Sequence, residues 1–561
     1  MNISNVGLLL SQSAKRNPDQ IAVAAATDKR ANGKRLYDQI TFQQLNDDTN
    51  RIAAGLIAAG ARPGMRLALL VKPGVNFIKL VFAMFKANVV TILIDPGMGR
   101  KNMIRCLSEA EPEGFVAIPM AQAIRCLMRS RFPKADFNVT VGRRYFWGGT
   151  TLSQVERLGA ESQEQNGEFI TENSPEDSAA IIFTTGSTGP PKGVLYQHKN
   201  FVKQAEEIRD YYQIEPGGID ISGFPLFALF NAGMGMTTIV PKMDFTKPAE
   251  VDPQEIIDAV NDWKATQSFG SPALWTTVGR YCEENNVRLP TLKRVLTAGA
   301  PVPPHVLRRL KSIVADDGDI FTPYGATESL PVASISATTV LNETAALTET
   351  GKGTCVGNRF PGMESRVIEI SDEPIESIEE TKELPANEIG ELIVRGDVVT
   401  REYVTRTDAN ALHKIKDDGT FWHRMGDVGY LDDQERFWFC GRKGHRVQTS
   451  NGVMFTIPCE AIFNLHPAVY RSALIGIGSE GNKVPVLVVE TWPEKRPRGK
   501  IAENQLRDEL YARGRTSELT SSIFEILLIK KMPVDIRHNS KIFREKLVIW
   551  AEPRVKLPEG K

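Results

Sequence analysis

The sequence predicts an α/β fold: a large N-terminal part of layered sheets and helices, followed by a small α+β unit. Three observations predict it. Helical periodicity and β-rich runs alternate along most of the chain. Its 561 residues allow several units of about 150 residues each. With 42% hydrophobic and 24% charged residues, the composition is that of a globular protein, not a disordered or fibrous one.

The elements follow in order. Thr41-Phe42-Gln43-Gln44 has the spacing of a capping box, and the residues up to Gly60 place Ile52, Leu56 and Ile57 on one helical face. Residues 66–71 read as a buried strand ended by Lys72-Pro73-Gly74. A helix over 76–87 then leads to a strand over 89–94, a βαβ rhythm that implies right-handed crossovers in a parallel sheet. Further strand-like runs lie at 179–183, around Ile239, at Val295-Leu296 and at 366–370. The polar stretches 161–177 and 371–388 read as surface insertions. A strand pair, 428–431 and 437–440, precedes Gly441-Arg442-Lys443-Gly444. Beyond it the chain has strands of its own at 473–477 and 484–490. The expected division is therefore 1–441 and 442–561.

Charge and cysteine usage exclude several classes. Lys+Arg and Asp+Glu both number 68, so no global field draws the chain to nucleic acid or anionic lipid, which leaves room for a local patch only. The six cysteines form no CxxC pair, which argues against a zinc site or disulfide framework and fits a reducing cytoplasm, the expected location. The N-terminus lacks the basic, then apolar, pattern of a signal peptide. The longest apolar stretch, 80–94, is interrupted by Lys86 and Asn88 and is too short to span a bilayer.

The most informative stretch is Ile181-Ile-Phe-Thr-Thr-Gly-Ser-Thr-Gly-Pro-Pro-Lys-Gly-Val194. A strand enters a loop with hydroxyls at Thr184, Thr185, Ser187 and Thr188, glycines at Gly186 and Gly189, and a cation at Lys192. Glycines let backbone N–H groups approach a phosphate, hydroxyls add donors and lysine supplies charge. The loop differs from a Walker A motif, because Pro190-Pro191 precede the lysine and a strand-like run follows it.

With further motifs in order, the chain resembles the adenylate-forming superfamily of acyl-CoA synthetases, luciferases and adenylation domains. These motifs are Ala298-Gly299-Ala300-Pro301, Tyr324-Gly325-Ala326-Thr327-Glu328, Gly390 to Gly396, Gly426 to Asp432, Gly441-Arg442 and Pro533 to Ile542. The resemblance implies that residues 184–189 and Lys192 hold phosphate, and that Gly299, Ala300 and Pro301 flank adenine. It further implies that Tyr324 stacks on the base within 324–327, Thr327 meets the α-phosphate, and Glu328 with Thr184 holds Mg²⁺. Asp427 and Arg442 are then the ribose contacts, and Lys541, on a small mobile C-terminal domain, is catalytic for adenylation. Joining a carboxylate to the α-phosphorus of ATP builds negative charge, which such cations and donors offset.

Within the superfamily the likeness is strongest to the β-lactone synthetases of long-chain olefin formation, through Leu93 to Arg100 and Val534 to Arg544. Ser540 stands where acyl-CoA synthetases usually have Gly, Ala228 where they often have His, and Gly444 at the hinge. The implied substrate is a long-chain 2-alkyl-3-hydroxy acid, with a dehydrogenase and a hydrolase-fold decarboxylase as sibling enzymes. An acyl-CoA or acyl-AMP ligase is the alternative. His198 and His538 are the candidate bases for the ring-closing hydroxyl. The Phe- and Met-rich run 224–236 suits an alkyl chain, with Phe227, Phe230 and Met234 as expected wall residues.

Overall fold

Two large sheets organise most of the chain in this computed structural model, which describes residues 3–162, 167–184, 189–535 and 541–557. The first has seven strands in the order Thr150–Thr151, Phe137–Thr140, Gly114–Ala117, Arg66–Leu70, Val90–Leu93, Ser178–Phe183 and Gly193–Gln197. Every neighbouring pair is parallel except the last, which is antiparallel. The expected βαβ unit is here: helix Val75–Lys86 links the strands Arg66–Leu70 and Val90–Leu93, and nearly all of it is buried. The predicted capping box also forms, with Thr41 Oγ1 accepting from Gln44 N–H at 3.2 Å and Gln44 Oε1 from Thr41 N–H at 3.0 Å.

The second large sheet is mixed, so the run at 366–370 is antiparallel and not part of a parallel βαβ unit. Its central strands Ile219–Ser222, Thr237–Val240, Gln267–Gly270, Arg294–Thr297 and Asp319–Ala326 are parallel. From Asp319–Ala326 onward the pairing turns antiparallel, through Ser329–Ser336, Thr354–Arg359, Phe437–Arg442, Thr420–Leu431, Gly390–Arg395 and Glu364–Ile368. The physical reason is connection length. Only two residues separate Ala326 from Ser329, enough for a hairpin and far too few for a crossover.

Residues 371–388 hold little regular structure, as expected of an insertion, but carbonyls at its start accept from the buried guanidinium of Arg424. In the C-terminal segment a three-stranded sheet, Val469–Ile477, Val484–Thr491 and Glu525–Ile529, packs its apolar side chains against helices Thr456–Asn464 and Lys500–Gly514. Among the described residues, no helix is long and apolar enough to cross a membrane.

Candidate active site

Parallel strands of an open α/β sheet present their C-terminal ends as a ligand crevice. Here three such ends converge. Thr184 follows Ser178–Phe183, Gly299 follows Arg294–Thr297, and Tyr324 to Glu328 closes Asp319–Ala326. They line one cleft of about 2240 Å³, together with Gly189, Lys192, Ala300, Pro301, Gly325, Ala326, Thr327, Asp427, Arg442 and Lys541. Thr185, Gly186, Ser187 and Thr188 lie outside the described residues, as does His538.

Around the phosphate-loop motif the geometry is set by hydrogen bonds across the loop's base. Lys192 N–H donates to Thr184 Oγ1 at 3.1 Å, and Thr184 N–H donates to the Lys192 carbonyl at 3.0 Å. The Lys192 ammonium sits over the Tyr403 ring, 4.4 Å from its centroid, and meets His413 Nε2 at 3.0 Å. Burial lowers the pKa of Lys192, partly offset by the Glu328 carboxylate. Burial, reinforced by Lys192, pushes His413 down to about 4. Its imidazole is thus neutral near pH 7, with Nδ1 facing the Arg424 carbonyl at 3.3 Å and Nε2 accepting from the lysine. His413 therefore acts as an aiming post for the Lys192 ammonium.

Glu328 is held from the other side. Tyr403 Oη donates to its Oε1 at 2.6 Å, while its carbonyl accepts from Thr400 N–H at 2.9 Å and from Thr400 Oγ1 at 3.0 Å. Lys414 is partly buried close by, donates to the Thr400 carbonyl, and is lowered to about 7 by desolvation. Tyr403, His413 and Lys414 are residues that sequence reasoning missed. They lie more than seventy positions from Glu328 in the chain and belong to no motif quoted above, so only the fold could bring them together.

Asp427 and Arg442 face each other across an antiparallel pair, and Arg442 Nη1 donates to Asp427 Oδ1 at 2.7 Å. The other carboxylate oxygen accepts from Tyr324 Oη. The Tyr324 ring packs against Phe437 and Phe439, at centroid distances of 5.8 and 6.4 Å. Burial and the Asp427 charge raise the Tyr324 pKa well above its ordinary value, so the phenol stays a donor. Arg442 Nε is buried without a hydrogen-bond partner among the described residues.

Lys541 reaches the cleft on a strap. Val534 bridges Ile542, Asp535 N–H donates to the Lys541 carbonyl at 2.9 Å, and Phe543 N–H donates to the Pro533 carbonyl at 2.9 Å. The strap is anchored just beyond the lysine by Arg544, which pairs with Glu460 at 2.6 Å and donates to the Leu474 carbonyl at 2.9 Å.

Two expected residues lie elsewhere. His198 heads helix His198–Tyr211, fully buried and away from the cleft lining. Its Nδ1 accepts from Val6 N–H at 3.2 Å and its Nε2 meets Asn88 Oδ1 at 3.2 Å, so neither nitrogen is left for a substrate hydroxyl. Met234 packs in the hydrophobic core and not on the cleft, because it faces inward from helix Phe227–Met234. Phe227 and Phe230 do line the cleft. Phe227 stacks on Phe269 at 4.0 Å, which fixes that wall.

His198 has a measurable consequence. Burial pushes it down to about 4, against about 6.5 for a free histidine. The unfolded chain then binds more protons between those values, so stability is full above about 6.5 and is lost as pH falls toward 4. Acidification from pH 7 to 5 is expected to cost on the order of 2 kcal/mol through this residue. Urea midpoints measured at both pH values check this: His198→Gln should show a shallower fall than the parent, and an equal fall rejects the assignment.

The fold and cleft are those of an adenylate-forming enzyme, and the chain belongs to the AMP-binding enzyme family, whose sequence profile matches residues 10–404. Two relatives align over nearly their whole length. An olefin beta-lactone synthetase of Xanthomonas campestris pv. campestris is 43% identical over 98% of each chain. Another, of Stenotrophomonas maltophilia, is 42% identical over 98% of each. The amide bond synthetase McbA of Marinactinospora thermotolerans, 18% identical, shares the fold over 98% of this chain and 100% of its own, with a TM-score of 0.78.

Proposed function

We propose that the chain is an ATP-dependent, AMP-forming olefin β-lactone synthetase acting on a long-chain 2-alkyl-3-hydroxyalkanoic acid. The observation that carries this reading is a single cleft with two chemistries. Its polar end gathers Lys192, Glu328, Asp427, Arg442 and Lys541, and its wall includes Phe227 and Phe230. Full-length likeness to two olefin β-lactone synthetases supports the choice of product.

In the first step a carboxylate oxygen of the acid attacks the α-phosphorus of ATP, and the bond to pyrophosphate breaks. Lys192 and Lys541 offset the charge that grows there, because ammonium groups held in a partly buried site act at reduced dielectric. Asp427 and Arg442 present a carboxylate and a guanidinium to the ribose, with Tyr324 beside the base. In the second step the substrate's own 3-hydroxyl attacks the acyl carbonyl, AMP leaves, the hydroxyl proton goes to solvent or phosphate, and a four-membered ring closes. Holding nucleophile and electrophile within one bound molecule supplies the proximity that ring closure needs.

Mg²⁺ fits the donor set. Glu328 offers one carboxylate and Thr184 one hydroxyl, and the described residues hold no cluster of three metal-ligating side chains. Such a sparse set suits an ion that arrives with phosphate oxygens and keeps several waters. When bound it would supply positive charge to the triphosphate. We place the boundary between the large and small domains at Gly441. Its φ of +137° and the Thr456 hydroxyl, 2.4 Å from where a Cβ would sit, support a tight junction that only glycine permits.

The test incubates the chain with ATP, Mg²⁺ and a 2-alkyl-3-hydroxy acid without coenzyme A, and identifies products by NMR under mild conditions. Lactone with AMP is the expected result. Turnover only when coenzyme A is added makes the chain an acyl-CoA ligase instead.

A further inference from the structure

Helix Pro119–Leu127 is pinned to the seven-stranded sheet on one side only. Gln122 is fully buried, and its Nε2 donates to the Phe115 and Val139 carbonyls at 3.1 and 3.0 Å. The opposite face carries Met120, Ile124 and Leu127, spaced at i, i+4 and i+7 and exposed by 68%, 39% and 82%. Arg125 donates from Nη2 to the Trp147 carbonyl at 3.3 Å, which brings the loop before Trp147 beside the helix. That loop exposes Tyr145 and Phe146 by 55% and 76%.

Charge singles out the same region. Residues 119–149 contain Arg125, Arg129, Arg131, Lys134, Arg143 and Arg144 against one acid, Asp136, in a chain with no net formal charge. All six cations but Arg125 are exposed. Arg143 lies over the Tyr145 ring, 5.2 Å from its centroid. Met120 and Ile124 also line the cleft, so the apolar stripe runs into the cavity wall.

We propose that this face is a docking surface for an anionic lipid bilayer. A short apolar stripe flanked by arginines and tipped with aromatic rings is the pattern of a helix lying in the plane of a membrane interface. There the apolar groups sink among acyl chains and the cations meet headgroup phosphates. Charge complementarity favours lipid over a protein partner, because Arg129, Arg131, Arg143 and Arg144 are exposed in the same segments as the apolar side chains, although Lys134 is already paired with Glu111, while a protein contact of this composition would need an acidic rim of equal extent. The docked face gives an aliphatic acid a path from bilayer to cleft past Met120 and Ile124; this last step rests on the lipid-acid reading above, whereas the docking itself does not.

The test sediments the full chain, without nucleotide or acid, with phosphatidylcholine vesicles that contain or lack phosphatidylglycerol. Binding to the anionic vesicles alone, weakening as salt rises, is expected. Arg143→Ala/Arg144→Ala should lower that partitioning on the order of tenfold, and Leu127→Glu/Phe146→Glu at least as much, with both variants keeping the parent's melting temperature. If a variant fails to fold, the salt dependence of the parent still decides. Equal binding to neutral and anionic vesicles overturns the proposal, as does no binding, or a dimer in buffer that the same substitutions break apart. A chain that docks on vesicles but forms no lactone overturns only the functional reading.

Discussion

Replacing Lys541 by alanine is expected to lower acid-dependent pyrophosphate release on the order of 10²- to 10³-fold, while ATP binding changes little. Residues 533–535 and 541–544 are held by backbone bonds to one another and by the Arg544–Glu460 pair, none of which uses the lysine side chain. The variant should therefore keep its fold and the residues we propose for ribose and base, since Asp427, Arg442 and Tyr324 are fixed by one another. What it loses is a cation opposite the charge that develops on phosphorus, and removing one such preorganised donor has that size of effect. Because the loss belongs to the transition state, kcat should fall far more than KM rises. Quenched-flow measurement of pyrophosphate, paired with a nucleotide-binding titration, reads both quantities. Unchanged pyrophosphate release removes Lys541 from its role, and a matching loss of ATP affinity makes it a ground-state contact.

The sequence made legible those parts of the site that one segment carries. The strand at 178–183 leading to Thr184, the turn after Arg294–Thr297 and the 324–328 run were readable because local spacing encodes a strand end and its turn. Lys192 and Glu328 were visible as chemistry, but the groups that aim them were not. Tyr403 and His413 sit in a loop and a short helix with no periodic pattern, and only tertiary packing brings them to those charges. The reverse error has the same root. His198 and Met234 have the right chemistry and the right neighbourhood in sequence, yet each points into packed interior, because a helix that starts beside a site turns most of its side chains away from it. The parallel arrangement of the first sheet followed from its βαβ rhythm, whereas the antiparallel half of the second begins at one two-residue link, Ala326 to Ser329, and continues through pairings distant in the chain, such as Thr354–Arg359 with Phe437–Arg442, that carry little local signal.

Glu391→Gln is expected to destabilise the chain by about 3–5 kcal/mol, the cost of leaving a buried cation without its anion. Glu391 and Arg424 are 0% and 1% exposed and pair at 2.7 Å through Arg424 Nη2, with Nε donating to the other oxygen at 3.1 Å. Arg424 spends its remaining donors on the Glu373 and Ser371 carbonyls, tying the 371–388 insertion to the sheet. Lys443 closes the network, 3.0 Å from Glu391 and 2.7 Å from the Ser371 carbonyl. Glutamine keeps the shape and one acceptor but takes away the carboxylate to which both cations bond. The two cations differ in their escape. Lys443 is 17% exposed and can turn its ammonium to water, whereas Arg424 has no such route. Lys443→Met alone should therefore cost little, and Glu391→Gln/Lys443→Met should be less destabilised than Glu391→Gln, since one unpaired cation is gone. Denaturant unfolding of the three variants measures this coupling. A Glu391→Gln variant within about 1 kcal/mol of the parent would mean that water reaches Arg424. The Ser371 and Glu373 carbonyls would then be the remaining buried partners of Arg424, with Ser371 shared by Lys443.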